Sequence, residues 1–409
     1  MRKIIGFSVL WSVCWWFHAA WAIEGSLLDD DRIKEPEIEK IFDAEEVEGH
    51  YVALDTTDAD QDADEDILLV DGLGNVSLML NLRAEGFSKP EWVGGPVNET
   101  PGPVSLDLSD VDLDNDEDLI ISSSMGEVYL VYAEGRGRYR DMTKISEALN
   151  TDSGPVQVRV SDVDLDNDED IVLGNNAGVL YQIENIGMGN FGRATELARM
   201  SDMVPGPYDY VFTDLDFDND EEILLADAKA TVYLLDNLRG RFAPAKKLAG
   251  PFNAEASKVD IEIADYDYDG DDDIVLMTGS GAVMLLENEG KGDFAEKPVT
   301  LAPPLGPEGG ERVLALSDIE AETSEDIAVV NSKGWLFLLE NDGRGEYGEA
   351  KVLAENVELS AGSASVIRED MNGDGAEDTL ILDGAGHLYL VLGAYDFVDE
   401  RLRDLGDDL

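Results

Sequence analysis

Residues 110–118 read Asp-Val-Asp-Leu-Asp-Asn-Asp-Glu-Asp, and this acidic stretch decides the fold because versions of it recur along the chain. Seven versions begin at Asp58, Asp110, Asp162, Asp214, Asp265, Asp318 and Asp370. The steps between successive starts are 52, 52, 52, 51, 53 and 52 residues. A fixed period of this length indicates a repeat architecture in which each repeat is one supersecondary unit. We number the acidic loops one to seven in chain order, and the positions within each loop one to nine.

Each repeat contains four short segments with the apolar pattern of β-strands. The segment before a loop alternates apolar and polar residues, as at Val156, Val158 and Val160, which is typical of a half-buried strand. The segment after a loop is a continuous apolar run, as in 119–121, which is typical of a strand buried on both faces. Two further segments follow, separated by turns rich in glycine. The pattern predicts an all-β fold, a seven-bladed β-propeller of four-stranded antiparallel blades.

The two ends of the chain carry a signature of ring closure. Residues 40–45 (KIFDAE) resemble residues 351–355 (KVLAE), which form the outermost segment of the sixth repeat. We therefore predict that the N-terminal segment 38–44 supplies the outer strand of the last blade, since closure removes an exposed sheet edge. The alternative is that residues 397–402 supply this strand.

The first 22 residues have the pattern of a secretory signal peptide. Arg2 and Lys3 precede a largely apolar run, and Ala20-Trp21-Ala22 matches a cleavage motif. We expect a protein that is secreted, extracellular or periplasmic, after cleavage near Ala22. The predicted domains are a signal peptide at 1–22, an acidic segment at 23–36, the propeller at 37–403 and an acidic tail at 404–409.

Charge and cysteine content exclude several classes of function. The chain has 90 Asp and Glu against 29 Lys and Arg, a net charge of −61. This excess of negative charge disfavours binding to nucleic acid or to anionic lipid, and we expect no membrane insertion. The single cysteine, Cys14, lies within the signal peptide, so the mature chain has no disulfide and no thiol chemistry. We expect a monomer.

The acidic loops have the composition of calcium sites. Calcium takes six to eight oxygen ligands, preferably carboxylates and carbonyls. In a tight loop, side chains at positions one, three, five and nine can point inward, and position seven can offer its carbonyl. Position six needs a residue that tolerates positive φ, and it is Asn or Gly in five loops. Position twelve is apolar, whereas an EF-hand requires Glu there.

The predicted metal ligands lie in six loops. They are Asp58, Asp60, Asp62 and Asp66; Asp110, Asp112, Asp114 and Asp118; Asp162, Asp164, Asp166 and Asp170; Asp214, Asp216, Asp218 and Glu222; Asp265, Asp267, Asp269 and Asp273; and Asp370, Asn372, Asp374 and Asp378. In loop six the longer side chains of Glu320 and Glu322 argue against a site. We expect about four to seven Ca²⁺ ions. The alternative is seven solvated acidic turns, which is disfavoured because converging carboxylates repel one another without a cation.

With these loops, the chain resembles the FG-GAP/VCBS repeat family, found in integrin α-subunit propellers and in many secreted bacterial proteins. The resemblance covers about residues 38–400. It implies a seven-bladed propeller with calcium in the hairpin between the first two strands of a blade. Loops two, three, five and seven match best. Loop one departs from the pattern with Ala63 at position six, and loop four departs with Glu222 at position nine.

Catalytic motifs are missing from the sequence. It contains no Gly-x-Ser-x-Gly, Walker loop or H-E-x-x-H, and the mature chain has only two histidines, His50 and His387, in predicted loops. We therefore predict that it is not an enzyme but a secreted, calcium-binding, integrin-like scaffold for protein interaction or cell adhesion. Its partner, an extracellular or periplasmic protein or a glycan, would meet loops away from the metal, at 93–103, 197–207 and 301–311.

Two other functions stay open. The first is a carbohydrate-binding propeller, although Trp92 and Trp335, the only mature tryptophans, occupy different strand positions, which disfavours repeated sugar sites. The second is a lyase or hydrolase with an active site in the central channel, built from acids of the first strands such as Asp107, Asp209 and Asp260.

Overall fold

A computed structural model describes residues 38–43, 50–150, 154, 156–175, 177–295, 297–305, 312–317, 326–331, 333–341, 346–354, 357, 359, 363–373 and 377–393. All of them lie within one compact unit, Pro36–Gly393. The predicted signal peptide, the acidic tail, the ligand Asp374 and most of loop six fall outside the described residues.

Within the described ranges, twenty-eight strands form seven four-stranded antiparallel sheets, one for each blade. Blades 1 to 3 consist of β2 (Tyr51–Thr57), β3 (Asp66–Asp71), β4 (Val76–Met79) and β5 (Glu91–Gly94); β6 (Ser105–Ser109), β7 (Asp118–Ser122), β8 (Val128–Val131) and β9 (Thr143–Lys144); and β10 (Gln157–Ser161), β11 (Asp170–Gly174), β12 (Val179–Ile183) and β13 (Thr195–Arg199). Blades 4 and 5 consist of β14 (Asp209–Thr213), β15 (Glu222–Ala226), β16 (Val232–Leu235) and β17 (Lys246–Ala249); and β18 (Asp260–Ala264), β19 (Asp273–Met277), β20 (Val283–Leu286) and β21 (Val299–Ala302). Blade 6 consists of β22 (Arg312–Ser317), β23 (Asp326–Asn331), β24 (Leu336–Leu339) and β25 (Lys351–Ala354), and blade 7 of β26 (Ser363–Glu369), β27 (Asp378–Asp383), β28 (Leu388–Val391) and β1 (Ile38–Phe42).

The predicted all-β propeller is therefore confirmed. The continuous apolar runs form the second strands, which are buried along their whole length, as in β7 and β11. The hydrophobic core lies between adjacent blades. One cluster, for example, joins Ile120 and Leu130 of blade 2 to Val158 and Ile171 of blade 3. A single blade cannot cover both of its faces, so the ring as a whole completes the core.

Ring closure by the N-terminal strand is also confirmed. β1 pairs antiparallel with β28, with Ile38 opposite Val391. Phe42 is 8 % exposed and packs on Tyr51 of blade 1, with ring centroids 5.5 Å apart. His387 links the same region, because its Nδ1 lies 2.9 Å from Asp383 and its Nε2 lies 3.3 Å from Asp43. Among the described residues, no helix is long and apolar enough to cross a membrane.

Candidate metal centres on one rim

In the part of the chain that the structure describes, each acidic loop connects the first strand of a blade to the second. Because the first strands of all blades run in the same direction around the ring, the loops meet on one rim. The side chain at position two anchors the loop in the core, since Val111, Val163 and Leu215 are each no more than 1 % exposed. Position nine is the first residue of the second strand, as at Asp118 in β7. Both ends of the loop are thus fixed by burial.

The carboxylate at position one organises the backbone of the loop. In loop two, Asp110 Oδ1 accepts the N–H of Asp114 at 2.9 Å and Asp110 Oδ2 accepts the N–H of Asn115 at 2.8 Å. Loops one, three and four repeat both bonds. Asn115 has φ of 70°, which confirms the prediction for position six. Position four is left-handed as well, with φ of 61° at Leu113, and the sequence analysis missed this.

These backbone bonds bring the predicted ligands together. Among the described residues, carboxylate oxygens lie within 4.8 Å of one another in at least four loops. The groups are Asp58, Asp60 and Asp62; Asp110, Asp112 and Asp118; Asp162, Asp164 and Asp166; and Asp214, Asp216 and Asp218. In loop four a second group, Asp218, Asp220 and Glu222, includes Asp220, which the sequence analysis did not select. In loop seven, Asn372 Nδ2 lies 3.4 Å from Asp378 Oδ1.

Several oxygens of the predicted ligands are buried without a hydrogen-bond partner among the described residues. Such oxygens show whether the loops could hold a cation. At position three they are the Oδ1 atoms of Asp60, Asp112 and Asp164. At position nine they include the Oδ2 atoms of Asp118 and Asp273. A buried carboxylate oxygen with no donor is costly, whereas a hard cation would satisfy it. The donor set of these loops therefore fits calcium.

Position nine also connects the loop to the turn after the third strand. Asp118 Oδ1 accepts the N–H of Ala133 at 2.8 Å, and Asp170 Oδ1 accepts the N–H of Asn185 at 2.8 Å. In Asp118 this leaves Oδ2 as the uncommitted ligand, whereas Asp170 Oδ2 also accepts a hydrogen bond, from Gln182 Nε2 at 2.7 Å. A contact through both oxygens of the position-nine carboxylate, which a calcium ion can accept, is therefore not preformed.

The electrostatics of position nine favour a bound cation. Burial, with a contribution from neighbouring carboxylates, raises the pKa of Asp118, Asp170 and Asp273 to about 7. It raises the pKa of Asp66 to about 6. Ionisation of these groups is therefore unfavourable unless positive charge lies nearby, so a metal ion and protons would compete for them.

A buried asparagine couples loops two, three, five and seven to the next blade. Asn185 Nδ2 donates to the carbonyl of Val111 in loop two at 3.0 Å, and Asn237 Nδ2 donates to that of Val163 in loop three at 3.1 Å. Asn341 and Asn81 make the corresponding bonds, the latter across the closure of the ring. The sequence carries a signal for this contact that we overlooked, namely Asn 15 residues after position nine in five repeats.

Position eight is acidic in all seven repeats, and it too was missed. Ser161 Oγ donates to Glu221 of the next blade at 2.6 Å, and Thr213 Oγ1 donates to Asp272 at 2.8 Å. Burial and the charges of Glu369 and Glu117 raise the pKa of Glu65 to about 7. Position eight thus links adjacent blades and adds negative charge to the rim that carries the acidic loops, the candidate metal rim.

Position four presents apolar side chains to solvent on this rim. Leu113 is 56 % exposed, Phe217 55 %, Tyr268 41 % and Leu165 39 %. All four have φ between 59° and 65°, a region that bulky side chains rarely adopt. Residues exposed singly are ordinary, but four in equivalent places form a repeated feature.

The first strands line the channel with acids that connect neighbouring blades. Asp107 Oδ2 accepts the N–H of Val160 at 2.7 Å, and Asp209 Oδ2 accepts the N–H of Ile261 at 3.1 Å. Arg159 lies 3.6 Å from Asp209. These carboxylates hold inner strands together.

A cavity of about 250 Å³ lies between loops one and two. Its lining includes Gln61, Glu65, Glu117, Ala133 and Tyr139. Ala133 occupies the place of the buried asparagine of other blades, so the missing side chain helps to open this space.

Comparison with known proteins agrees with this architecture. The model of the FG-GAP-like repeat family matches residues 110–173, which span loops two and three. None of the curated proteins matches the chain significantly. The chain is therefore a seven-bladed β-propeller with FG-GAP-like repeats, and the resemblance to that family is confirmed.

Solved structures share the fold at low sequence identity. The BP39L lectin from Burkholderia pseudomallei is 16 % identical, with a TM-score of 0.68 over 84 % of this chain and 96 % of that one. A lectin from Agrocybe aegerita, described as recognising non-reducing terminal N-acetylglucosamine, is 18 % identical, with a TM-score of 0.60 over 80 % and 88 %. BBS1N in complex with ARL6DN is 11 % identical, with a TM-score of 0.55 over 88 % and 96 %.

Proposed function

We propose that this protein is a calcium-stabilised, non-catalytic binding scaffold that acts outside the cytoplasm. The observation that carries the proposal is the set of converging loop carboxylates with buried oxygens that lack hydrogen-bond donors, as at Asp112 and Asp118. Calcium at the loops would hold the ends of the first two strands of each blade. Chelation would then loosen one whole rim.

Calorimetric titration of the metal-free protein, with thermal unfolding in EDTA and in millimolar calcium, tests the proposal. We expect several calcium equivalents and a higher melting temperature with calcium, because a ligand that binds only the folded state stabilises it. Asp112→Asn should reduce the shift, whereas Asp141→Asn, an exposed acid outside the loops, should not. Absence of binding would mean that the loops are solvated turns.

The apolar side chains at position four favour the metal rim as the surface that meets a protein partner. This differs from the loops that the sequence suggested, since 93–103 and 197–207 run from the end of a fourth strand toward the next first strand, on the opposite rim. A partner with apolar and basic residues would complement Leu113, Leu165 and Phe217 among their acidic neighbours.

Binding to candidate extracellular proteins by surface plasmon resonance separates the two rims. The triple variant Leu113→Asn, Leu165→Asn, Phe217→Asn should weaken binding, and alanine substitutions in 99–103 should not. The reverse pattern would assign the interaction to the opposite rim.

We propose a neutral glycan as the second candidate ligand. The cavity beside Ala133 supports it, because a polar space next to the Tyr139 ring suits a sugar better than the flat rim does. Two of the similar structures are lectins. Ala133→Asn should fill the cavity and abolish binding on a glycan array that includes terminal N-acetylglucosamine. Thr195→Asn, on the exposed outer strand of blade 3, is the matched control.

A further inference from the structure

Loop four differs from its neighbours because the turn beside it is one residue shorter. The bridge that closes this turn joins Asn237 to Phe242, whereas in blade 3 it joins Asn185 to Phe191. The residue omitted corresponds to Gly187, where an added methyl group would lie 3.5 Å from Asp168 Oδ2 at position seven. A glycine thus faces the position-seven acid in blade 3, and blade 4 lacks it.

The shorter turn draws the position-seven side chain of loop four inward. The N–H of Arg239 donates to Asp220 Oδ2 at 2.9 Å. Asp220 is only 2 % exposed, while the position-seven acids of loops one, two, three and five are all partly exposed. At position nine, Glu222 is 3 % exposed, and its Oε2 accepts the N–H of Leu215 at 2.9 Å.

Two buried carboxylate oxygens of loop four therefore lack a hydrogen-bond donor among the described residues. Asp220 Oδ1 and Glu222 Oε1 have no hydrogen-bond partner among the described residues. Asp218, Asp220 and Glu222 each offer a carboxylate oxygen within 4.8 Å of the others. Asp218 also belongs to the group formed with Asp214 and Asp216. Two carboxylate groups that share one member can hold two cations about 3.5–4 Å apart, with the shared carboxylate as the bridge.

We propose that loop four binds a second divalent cation through Asp218, Asp220 and Glu222, beside the ion held by Asp214, Asp216 and Asp218. The inference rests on the proposed calcium binding of the loops. All the ligands are carboxylates, which select hard cations such as calcium or manganese. Loop four would then carry a pair of ions where each neighbouring loop carries one.

Native mass spectrometry of the full chain in calcium counts bound ions directly. Asp220→Asn should lower the maximum count by one relative to the wild type. Asp168→Asn removes the equivalent side chain from loop three and should leave the count unchanged. An equal count in Asp220→Asn and the wild type would overturn the proposal, because Asp220 would then be at most an added ligand to a single ion.

Crystals of the wild type soaked in manganese provide a second measurement that does not depend on folding of a variant. Two anomalous peaks are expected in loop four and one in loop three. A single peak in loop four would refute the second ion while leaving the calcium scaffold intact. Failure of the wild type to bind any ion in either experiment would refute both proposals.

Discussion

At the scale of the residue, position four combines backbone strain with apolar exposure. Leu113 has φ of 61° and is 56 % exposed. Neither its backbone conformation nor its burial therefore explains why a leucine occupies this position. Asparagine tolerates the left-handed region better because its short polar side chain can bond locally. The choice of leucine is therefore more easily explained by an interaction than by stability.

Leu113→Asn is accordingly expected to stabilise the isolated protein, by up to about 1 kcal/mol. Urea unfolding in saturating calcium measures the change. Leu82→Asn is the matched control, since Leu82 is 42 % exposed but has φ of −105°. Equal effects of the two substitutions would show that backbone strain is not the cause.

At the scale of the element, the buried asparagines make neighbouring blades interdependent. Asn185 binds the carbonyl of Val111 in loop two and accepts the N–H of Gly187 at 3.1 Å through its Oδ1. Asn185 thus links an acidic loop of one blade to the turn of the next. A change in the structure of one loop should therefore alter the stability of the adjacent blade.

Asn185→Ala should lower the free energy of unfolding by about 1–3 kcal/mol, the usual cost of leaving buried polar groups unsatisfied. It should also weaken calcium binding at loop two. Asn190→Ala provides the control, because Asn190 is exposed and bonds only within its own turn. Calorimetric titration and urea unfolding report the two effects. A loss of stability without any change in calcium binding would show that the asparagine does not transmit order to the loop.

Much of the fold and of the acidic loops could be predicted because both depend on residue patterns that are local in the sequence. Periodic acids and apolar runs define the blades, and position-six Asn115 indicates its own backbone conformation. The inward turn of Asp220 could not be predicted from the loop, because it depends on the length of a turn 17 residues further on, after Asn237. The role of Asn185 was missed because its partner lies in another repeat.

At the scale of the whole molecule, the ring depends on the strand that closes it. Phe42 is nearly buried between the last blade and Tyr51 of the first. Phe42→Ala should cost about 3–5 kcal/mol, as is usual for a core phenylalanine. Ile38→Ala is the control on the same strand, since Ile38 is 39 % exposed. Thermal unfolding distinguishes the two, and equal small shifts would show that closure by β1 contributes little.

The channel gives the whole ring a pH dependence that is separate from that of the metal loops. Burial, together with the charges of Asp209 and Asp260 and against the opposing charge of Arg159, raises the pKa of Glu262 to about 8. These are the charged groups that face Glu262 among the described residues. In the unfolded chain the same group ionises near its ordinary value of 4.5.

Between these two values the folded protein binds more protons than the unfolded chain, so the free energy of unfolding should fall as the pH rises from about 4.5 to 8. Each pKa unit corresponds to about 1.4 kcal/mol, and water in the channel will reduce the effect. Glu262→Gln should flatten this dependence and stabilise the protein at pH 8 relative to the wild type. Glu289→Gln, on an exposed turn, should do neither. Urea unfolding across this pH range, with calcium saturating so that the loop carboxylates stay ionised, measures both. An unchanged slope in Glu262→Gln would assign the pH dependence to other carboxyls.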